Sequence, residues 1–273
     1  MSGFEKFIQE RIYLQNVSPR TVDWYRQTFK WLEKYPLTEE GLKELVVGMR
    51  QAGLQAISCN SRIRCINAYL KWAGLPLHVP KLREESNVMP TYTETQLKSI
   101  IDFKPKTESE RRLHTLVLTL IDTGLRIEEA LSLRRANVNL DQMLLTVQGK
   151  GGKQRIVPFS FELRKVLWKF TSKQNANVDL LFSTRDGRKL QRRNMLRDFK
   201  ALCRRLGFAP VKRSIHALRH TFAVNYLRHG GSVFHLQKAL GHTSLEMTRK
   251  YANLLTDDLQ AMQHQVSLMN KLR

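Results

Sequence analysis

Residues Ser214 to Asn253 read SIHALRHTFAVNYLRHGGSVFHLQKALGHTSLEMTRKYAN, and their pattern decides how this part of the chain folds. Apolar side chains recur along the stretch at roughly helical spacing. Gly230-Gly231 and Gly241 are predicted to end helices, because glycine readily adopts the backbone conformation that follows a helix. The stretch therefore predicts short helices separated by tight turns.

The polar residues of this stretch fall at fixed places on the predicted helices. His216 and Arg219 are three residues apart and therefore share a helix face. His242 follows a turn glycine, and Tyr251 lies nine residues beyond it. His220 is next to Arg219 on a different face, which favours a structural role. We interpret the other four as parts of an active site, with ordinary core or surface residues as the alternative.

The charge of the chain is its strongest compositional feature. Its 46 basic and 24 acidic residues give a net charge of +22. A polyanionic partner is therefore expected, and nucleic acid is favoured because Lys and Arg displace the counterions condensed on its phosphate backbone. A solvated basic face is the alternative explanation for any single basic run.

Length and composition narrow the class of protein further. With 273 residues and 42% hydrophobic content, the chain is long enough for two soluble domains, each with its own core. No segment has the length of a membrane span, and the N-terminus resembles neither a secretory signal nor a transit peptide, so a cytoplasmic protein is predicted. The cysteines are too few and too poorly spaced for a disulfide framework or a zinc site. Buried thiols are predicted at Cys59, Cys65 and Cys203.

The first 75 residues are predicted to form a small helical domain. Helical patterns fill it at about 2–15, 19–34, 39–52 and 57–73. Some of its basic residues are candidates for contacts with a phosphate backbone, although an ordinary exposed charge explains each of them equally well. These candidates are Arg20, Arg62, Arg64 and Lys71.

Residues 76–92 carry three prolines and no helical period, so they are predicted to be a linker. A second domain is predicted over 93–273, opening with a capping box formed by Thr93 and Gln96. A small antiparallel sheet with a tight glycine-rich hairpin is predicted at 137–159. Further helices are predicted at 108–122, 125–135, 161–174, 190–206 and about 256–271.

The last predicted helix carries an apolar seam, which is expected either to fold back on its own domain or to dock on a neighbouring subunit.

Arg126 sits just past a turn glycine at a predicted helix start, with Glu129 one turn further on. An arginine is electrostatically unusual there, because the helix dipole favours anions at that end. The placement makes sense if the helix amides and the guanidinium both face a phosphate. Arg219 is similarly expected near a helix start, with Ser214 available as N-cap. Two such arginines can hold one phosphodiester and stabilise the charge of a pentavalent transition state.

Lys150 lies in the glycine-rich hairpin at 149–153. The hairpin lacks the Ser or Thr that follows the lysine of a nucleotide-binding P-loop. A lysine on such a hairpin is a candidate to enter a DNA groove and donate a proton to a departing oxygen, with a simple backbone contact as an equal alternative. Other candidates for DNA contacts in this domain are Lys153, Arg155, Arg192 and Arg193.

The histidines do not predict a metal site. The chain contains no HExxH pattern, and no acidic residues cluster in sequence with His216, His220 or His242. Near a phosphate, a histidine can instead hydrogen-bond an oxygen or accept the proton of a nucleophile.

Five motifs occur in a fixed order: TGLRIEEAL, GKGGKQRIVP, HALRHTFA, LGH and TRKYA. In that order and at these separations they closely resemble the tyrosine recombinase (phage integrase) family. The resemblance implies a mainly α fold. A helical, SAM-like core-binding domain and a mainly helical catalytic domain with a small antiparallel sheet would form a C-shaped clamp around duplex DNA.

The resemblance also assigns roles to individual residues. Tyr251 would be the nucleophile, and Arg126 with Arg219 would be the phosphate-binding pair. Lys150 would be the general acid for the leaving 5′ oxygen, with Lys153 on the same hairpin as the alternative.

The remaining site residues would support this chemistry. His216 would be the proton acceptor or a phosphate ligand, and His242 a second hydrogen-bond donor to the phosphate. Glu129 matches the family's acidic position, which orients neighbouring catalytic groups.

The implied reaction is site-specific recombination of double-stranded DNA, as integration, excision or dimer resolution. It proceeds through a 3′-phosphotyrosine, with no metal or nucleotide cofactor. A tetramer on DNA is implied, with the last helix docking in the neighbouring subunit. A Xer-like enzyme of two domains is favoured, because the core-binding helices begin almost at Met1. The alternatives are DNA relaxation of the type IB topoisomerase kind and a non-catalytic basic DNA-binding protein.

Overall fold

The computed structural model describes residues 3–84, 89–149, 154–174, 178–242, 244, 245, 248 and 251. The chain divides into two compact units, Met1–Asn87 and Val88–Arg273. Both are mainly helical, and the second also holds a small three-stranded antiparallel sheet. The predicted fold class is confirmed in these respects.

The described residues of the first unit form four helices, as the hydrophobic pattern predicts. They are α1 (Gly3–Gln15), α2 (Pro19–Leu32), α3 (Glu39–Gln51) and α4 (Ala56–Trp72). The Ser18 and Thr38 side chains cap α2 and α3 by accepting hydrogen bonds from Thr21 N and Gly41 N. An aromatic cluster lies between α1, α2 and α4, where Phe7 packs edge-on against Tyr25, Phe29, Tyr69 and Trp72.

The first half of the predicted linker is bound to α4. Asn67 exchanges two hydrogen bonds of 2.9 Å with the backbone N–H and C=O of Val79. Two turns earlier on the same helix, Asn60 does the same with Leu82, at 2.8 and 2.9 Å. Val79 is 3% exposed and belongs to the core of the first unit. This part of the predicted linker therefore packs on the first unit.

The second unit contains seven helices and three strands among its described residues. They are α5 (Glu94–Ile101), α6 (Glu108–Thr123), α7 (Ile127–Leu131), β1 (Val138–Asn139), β2 (Leu144–Gln148), β3 (Gln154–Pro158), α8 (Phe161–Thr171), α9 (Arg192–Arg205), α10 (Ser214–Arg228) and α11 (Val233–Leu240). The predicted capping box of Thr93 and Gln96 is present at the start of α5. The hairpin also forms as predicted, with β2 pairing antiparallel to β3 and Gln148 opposite Gln154.

Three details of the second unit differ from prediction. The helix predicted at 125–135 stops at Leu131 and gives way to a 3-10 turn at Arg135–Asn137. The helix predicted at 161–174 ends at Thr171. Ser214 is not the N-cap of α10, because the cap is Arg213 with a left-handed φ of 63°. Arg219 therefore lies in the second turn of α10.

Candidate active site

Helix α10 brings two ionisable side chains, Arg219 and His220, into the interior of the second unit. Most of its length is buried, which is typical of a central helix. Arg219 is 2% exposed and His220 is 5% exposed, whereas His216 one turn earlier is exposed. Buried charged side chains need partners, because desolvation of a charge is costly. The partners of Arg219 and His220 therefore define the site.

Arg219 binds two backbone carbonyl groups. Its Nη1 donates to Gly124 O at 2.9 Å and its Nη2 to Leu240 O at 2.8 Å. Gly124 ends α6 with a left-handed φ of 62°, and a Cβ there would lie 2.3 Å from the Phe222 ring. Only glycine fits this turn, which presents its carbonyl oxygen to the arginine.

Arg126, the N-cap residue of α7, also binds the carbonyl group of Leu240. Its Nη1 donates to Leu240 O at 3.2 Å and to Glu129 at 2.9 Å, and its Nη2 lies 3.5 Å from Gly241 O. The two predicted phosphate-binding arginines, 93 positions apart in sequence, thus converge on one oxygen atom. Two guanidinium groups that donate hydrogen bonds to one oxygen are an arrangement suited to binding a phosphate oxygen.

The C-terminal end of α11 supplies the carbonyl groups. A helix leaves its last carbonyls without partners in the helix, and they carry the negative end of its dipole. Here Arg155 Nε donates a hydrogen bond to Ala239 O at 2.9 Å, while Arg126 and Arg219 both donate to Leu240 O. Gly241 then turns the chain with a left-handed φ of 63°. The arginines therefore act as the cap of this helix.

Glu129 holds Arg126 from the other side. Its carboxylate accepts from Arg126 N and Nη1, each at 2.9 Å, and from Arg155 at 2.8 and 3.0 Å. Burial raises the pKa of Glu129, but the hydrogen bonds from Arg155 and Arg126 outweigh it and leave the pKa below its ordinary value. Glu129 thus has the geometry of the orienting residue that its sequence position suggests.

Arg155 is held within the second unit. Its side chain is 13% exposed, and its guanidinium binds Glu129 and Ala239 O. The long sequence separation of these partners hid the interaction. Arg155 is therefore a strut, a side chain that joins β3 to α7 and α11, and its contact with DNA stays a prediction.

His242 follows the end of α11 and binds Arg219. The distance from Arg219 Nη2 to His242 Nε2 is 2.9 Å. Because a guanidinium only donates, Nε2 must accept, and Nδ1–H then donates to Thr248 Oγ1 at 2.9 Å. Burial and then the charges of Arg219 and Arg126 lower the pKa of His242 to about 4. In this state Nε2 of His242 accepts from Arg219, and donation from His242 to a phosphate stays a prediction.

Tyr251 completes the cluster. The Tyr251 ring lies parallel to the His242 ring, with centroids 6.2 Å apart, and Tyr251 is 4% exposed. Burial raises the pKa of Tyr251, and the charge of Arg219 together with a hydrogen bond from it partly lowers it again. The phenol oxygen also lies 3.0 Å from Nδ1 of His220. His220, predicted to be structural, therefore contacts the candidate nucleophile directly.

The family model described as the phage integrase family matches residues 90–257, which is more than half of the 273-residue chain. The chain belongs to the phage integrase family. The recognition made from the five motifs is therefore confirmed, and with it the enzyme class of the tyrosine recombinases.

Relatives of this phage integrase family member cover most of its length. The tyrosine recombinase XerA of Pyrococcus furiosus is 29% identical over 268 residues, 95% of this chain and 92% of the relative. XerD of Brucella abortus is 35% identical over 154 residues, 54% of this chain and 50% of the relative. The solved Tn1549 transposon integrase in complex with transposon right end DNA has a TM-score of 0.76 at 18% identity, covering 98% and 100% of the two chains. At that identity the structural likeness shows the fold.

The structure leaves other predicted residues of this integrase family member as predictions. Lys150 and Lys153 lie outside the described residues. Arg62 is half-buried and bonds Ser58 O at 3.2 Å. The remaining candidates for DNA contacts are exposed, namely Arg20, Arg64, Lys71, Arg192 and Arg193.

The described part of the chain contains no group of three or more His, Cys, Asp or Glu residues that could hold a metal ion. None of its helices is long and apolar enough to cross a membrane. The three cysteines are buried and free, as predicted.

Proposed function

We propose that this protein cleaves and rejoins DNA at a specific site through a covalent bond between Tyr251 and a 3′ phosphate. The observation that carries the proposal is the convergence of Arg126 and Arg219 on Leu240 O, with the Tyr251 phenol beside Arg219. A phosphodiester carries a full negative charge, whereas a carbonyl carries a partial one. Charge-assisted hydrogen bonds to a phosphate are therefore stronger than the bonds seen here.

The proposed reaction is a transesterification. The Tyr251 oxygen attacks phosphorus, the bond to the 5′ oxygen breaks, and a 3′-phosphotyrosine and a free 5′ hydroxyl result. A 5′ hydroxyl of a second duplex then reverses the step, so bond energy is conserved without a nucleotide or a metal. Arg126 and Arg219 stabilise the charge that builds on the non-bridging oxygens.

The proton transfers need groups on both sides of the phosphate. Lys150 is proposed as the acid that protonates the leaving oxygen, with Lys153 as the alternative. His216 is proposed as the proton acceptor or as a phosphate ligand. His242 is proposed as a second donor to the phosphate, which requires it to gain a proton or to exchange tautomers when DNA binds.

Double-stranded DNA is the proposed partner, since the net charge of +22 matches a polyanion. Recombination joins two duplexes at four strand ends, so we propose that the enzyme acts as a tetramer on DNA. The segment at about 256–271, which lies outside the described residues, is proposed to dock on the neighbouring subunit. Integration, excision and dimer resolution all use this chemistry.

A covalent trap tests the proposed function. A preferred sequence is first selected from a pool of random duplexes by binding, and a nick is then placed near the candidate cleavage point. After cleavage, the short strand between the cleavage point and the nick diffuses away with its 5′ hydroxyl. Rejoining then cannot occur, so the enzyme remains covalently attached to the DNA. We expect wild type, but not Tyr251→Phe, to form a complex that survives denaturing electrophoresis.

Other outcomes point to other functions. Relaxation of a supercoiled plasmid that lacks the selected sequence would indicate an enzyme of the type IB topoisomerase kind. Salt-sensitive DNA binding without a covalent complex, unchanged by Tyr251→Phe, would indicate a non-catalytic DNA-binding protein.

A further inference from the structure

The phenol of Tyr251 and the ring of His220 form a buried pair. The distance from Tyr251 Oη to His220 Nδ1 is 3.0 Å, and the two residues are 4% and 5% exposed. His216 is exposed and touches His220 edge-on, with ring centroids 4.6 Å apart. A proton that leaves this phenol therefore meets His220 before it meets His216 or bulk water.

The direction of this hydrogen bond follows from the protonation of the phenol. Burial raises the pKa of Tyr251, so the phenol keeps its proton at neutral pH. We therefore assign the O–H of Tyr251 as the donor and Nδ1 of His220 as the acceptor. His220 accepts with Nδ1 and carries its proton on Nε2, which is buried and has no hydrogen-bond partner within the described residues.

We propose that His220 accepts the proton of Tyr251 when the phenol oxygen attacks the DNA phosphate. The proposal rests on the recombinase function proposed above. In this step the bond between Tyr251 Oη and phosphorus forms and the phenol proton moves to Nδ1 of His220. The bond from phosphorus to the 5′ oxygen breaks, and that oxygen takes a proton from the general acid. Rejoining returns the proton from His220 to Tyr251, which leaves His216 free to act as a phosphate ligand.

The charged groups around His220 make its pKa depend on whether DNA is bound. The titratable and charged groups around it are His216, Arg213, Arg219 and Tyr251. Burial, then His216, Arg213 and Arg219, lower the pKa of His220 to about 4, so it is neutral and a weak base without DNA. A bound phosphate adds a negative charge beside these cations and raises that pKa. His220 thus becomes a stronger base when the substrate arrives.

Matched substitutions at the two neighbouring histidines test the proposal. His220→Asn keeps an acceptor near the position of Nδ1 but cannot take a proton, and His216→Asn is the control. Single-turnover cleavage of the nicked substrate is measured against pH. We expect His220→Asn to slow cleavage by on the order of 100-fold or more, the usual contribution of a general base, with DNA affinity retained. The rise of rate with pH should vanish in His220→Asn and persist in His216→Asn.

A more acidic nucleophile supplies an independent readout. A polyfluorinated tyrosine at position 251 needs less help from a base, so it should shrink the deficit of His220→Asn. His220→Gln replaces His220→Asn if circular dichroism shows the latter to be unfolded. Cleavage by the His220 variants within threefold of wild type, with the same pH profile, would overturn the assignment. A wild-type enzyme that forms no covalent complex would instead overturn the recombinase function and the His220 assignment with it.

Discussion

Replacing Arg155 by alanine tests whether this residue is a strut or a DNA contact. The substitution removes both bonds from Arg155 to Glu129 and the bond to Ala239 O. Glu129, whose side chain is 9% exposed, keeps its bonds from Arg126 but loses its more deeply buried partner. Breaking a buried ion pair on one side costs about 3–5 kcal/mol, so the free energy of unfolding should fall by roughly 3 kcal/mol.

The control for stability is an ion pair on the surface of the same unit. Arg134 and Asp179 lie 2.7 Å apart, and their side chains are 65% and 56% exposed. Arg134→Ala removes the same formal charge, but the loss should be below about 1 kcal/mol because water screens the pair. Urea unfolding followed by circular dichroism compares the two variants. The loss in free energy of unfolding for Arg155→Lys should lie between those of the two alanine variants. An ammonium group keeps the charge but cannot form the two parallel hydrogen bonds that a guanidinium makes to a carboxylate.

The salt dependence of DNA binding separates the strut from a phosphate contact. Loss of one phosphate contact reduces the slope of log affinity against log salt by about 1. We expect Arg155→Ala to leave this slope unchanged, and cleavage to slow because Arg126 is less firmly held. A slope reduced by about 1, together with an unchanged free energy of unfolding, would refute the role of Arg155 as a strut and favour its predicted contact with DNA.

Three further predictions follow from single contacts. Asn67→Ala should leave the backbone N–H and C=O of Val79 unpaired, which costs about 1–3 kcal/mol and speeds hydrogen exchange at that amide. Gly124→Ala should destabilise more than Gly53→Ala in thermal unfolding, since both have left-handed φ but only Gly124 has a ring in the way. Stability should fall as pH drops from about 6.5 towards 4, because unfolded chains protonate His220 and His242 and the folded protein resists both protonations. Acid titration of the free energy of unfolding checks this, and His220→Asn should reduce the slope without removing it, because His242 still contributes.

Local chemistry made much of this fold predictable from sequence. The capping box at Thr93 and Gln96 and the hairpin at 144–158 depend on neighbours a few residues away, and both appear as expected. The pairing of Arg126 with Glu129 is local in the same way, because one helical turn separates them. Patterns of this range are visible in a single chain.

Contacts between distant segments were not predictable in this way. Asn60 and Asn67 pair with backbone 22 and 12 residues away, and no periodicity records such a partner. The structural role predicted for His220 rests on its position on a different helix face from Arg219. Tyr251, 31 residues further on, contacts His220 on that face. A helix face says nothing about which later segment covers it.

The turn that ends α11 shows how fold and site depend on each other. Ala239, Leu240 and Gly241 offer carbonyls at the negative end of a helix, and three arginines hold them. Without DNA, these carbonyls keep mutually repelling guanidinium groups together, two of which, those of Arg155 and Arg219, are largely removed from water, where unpaired charge is costly. We expect a bound phosphate to offer these arginines a full negative charge in place of the partial charges of the carbonyls. The cap of one helix thus pre-organises the proposed phosphate site.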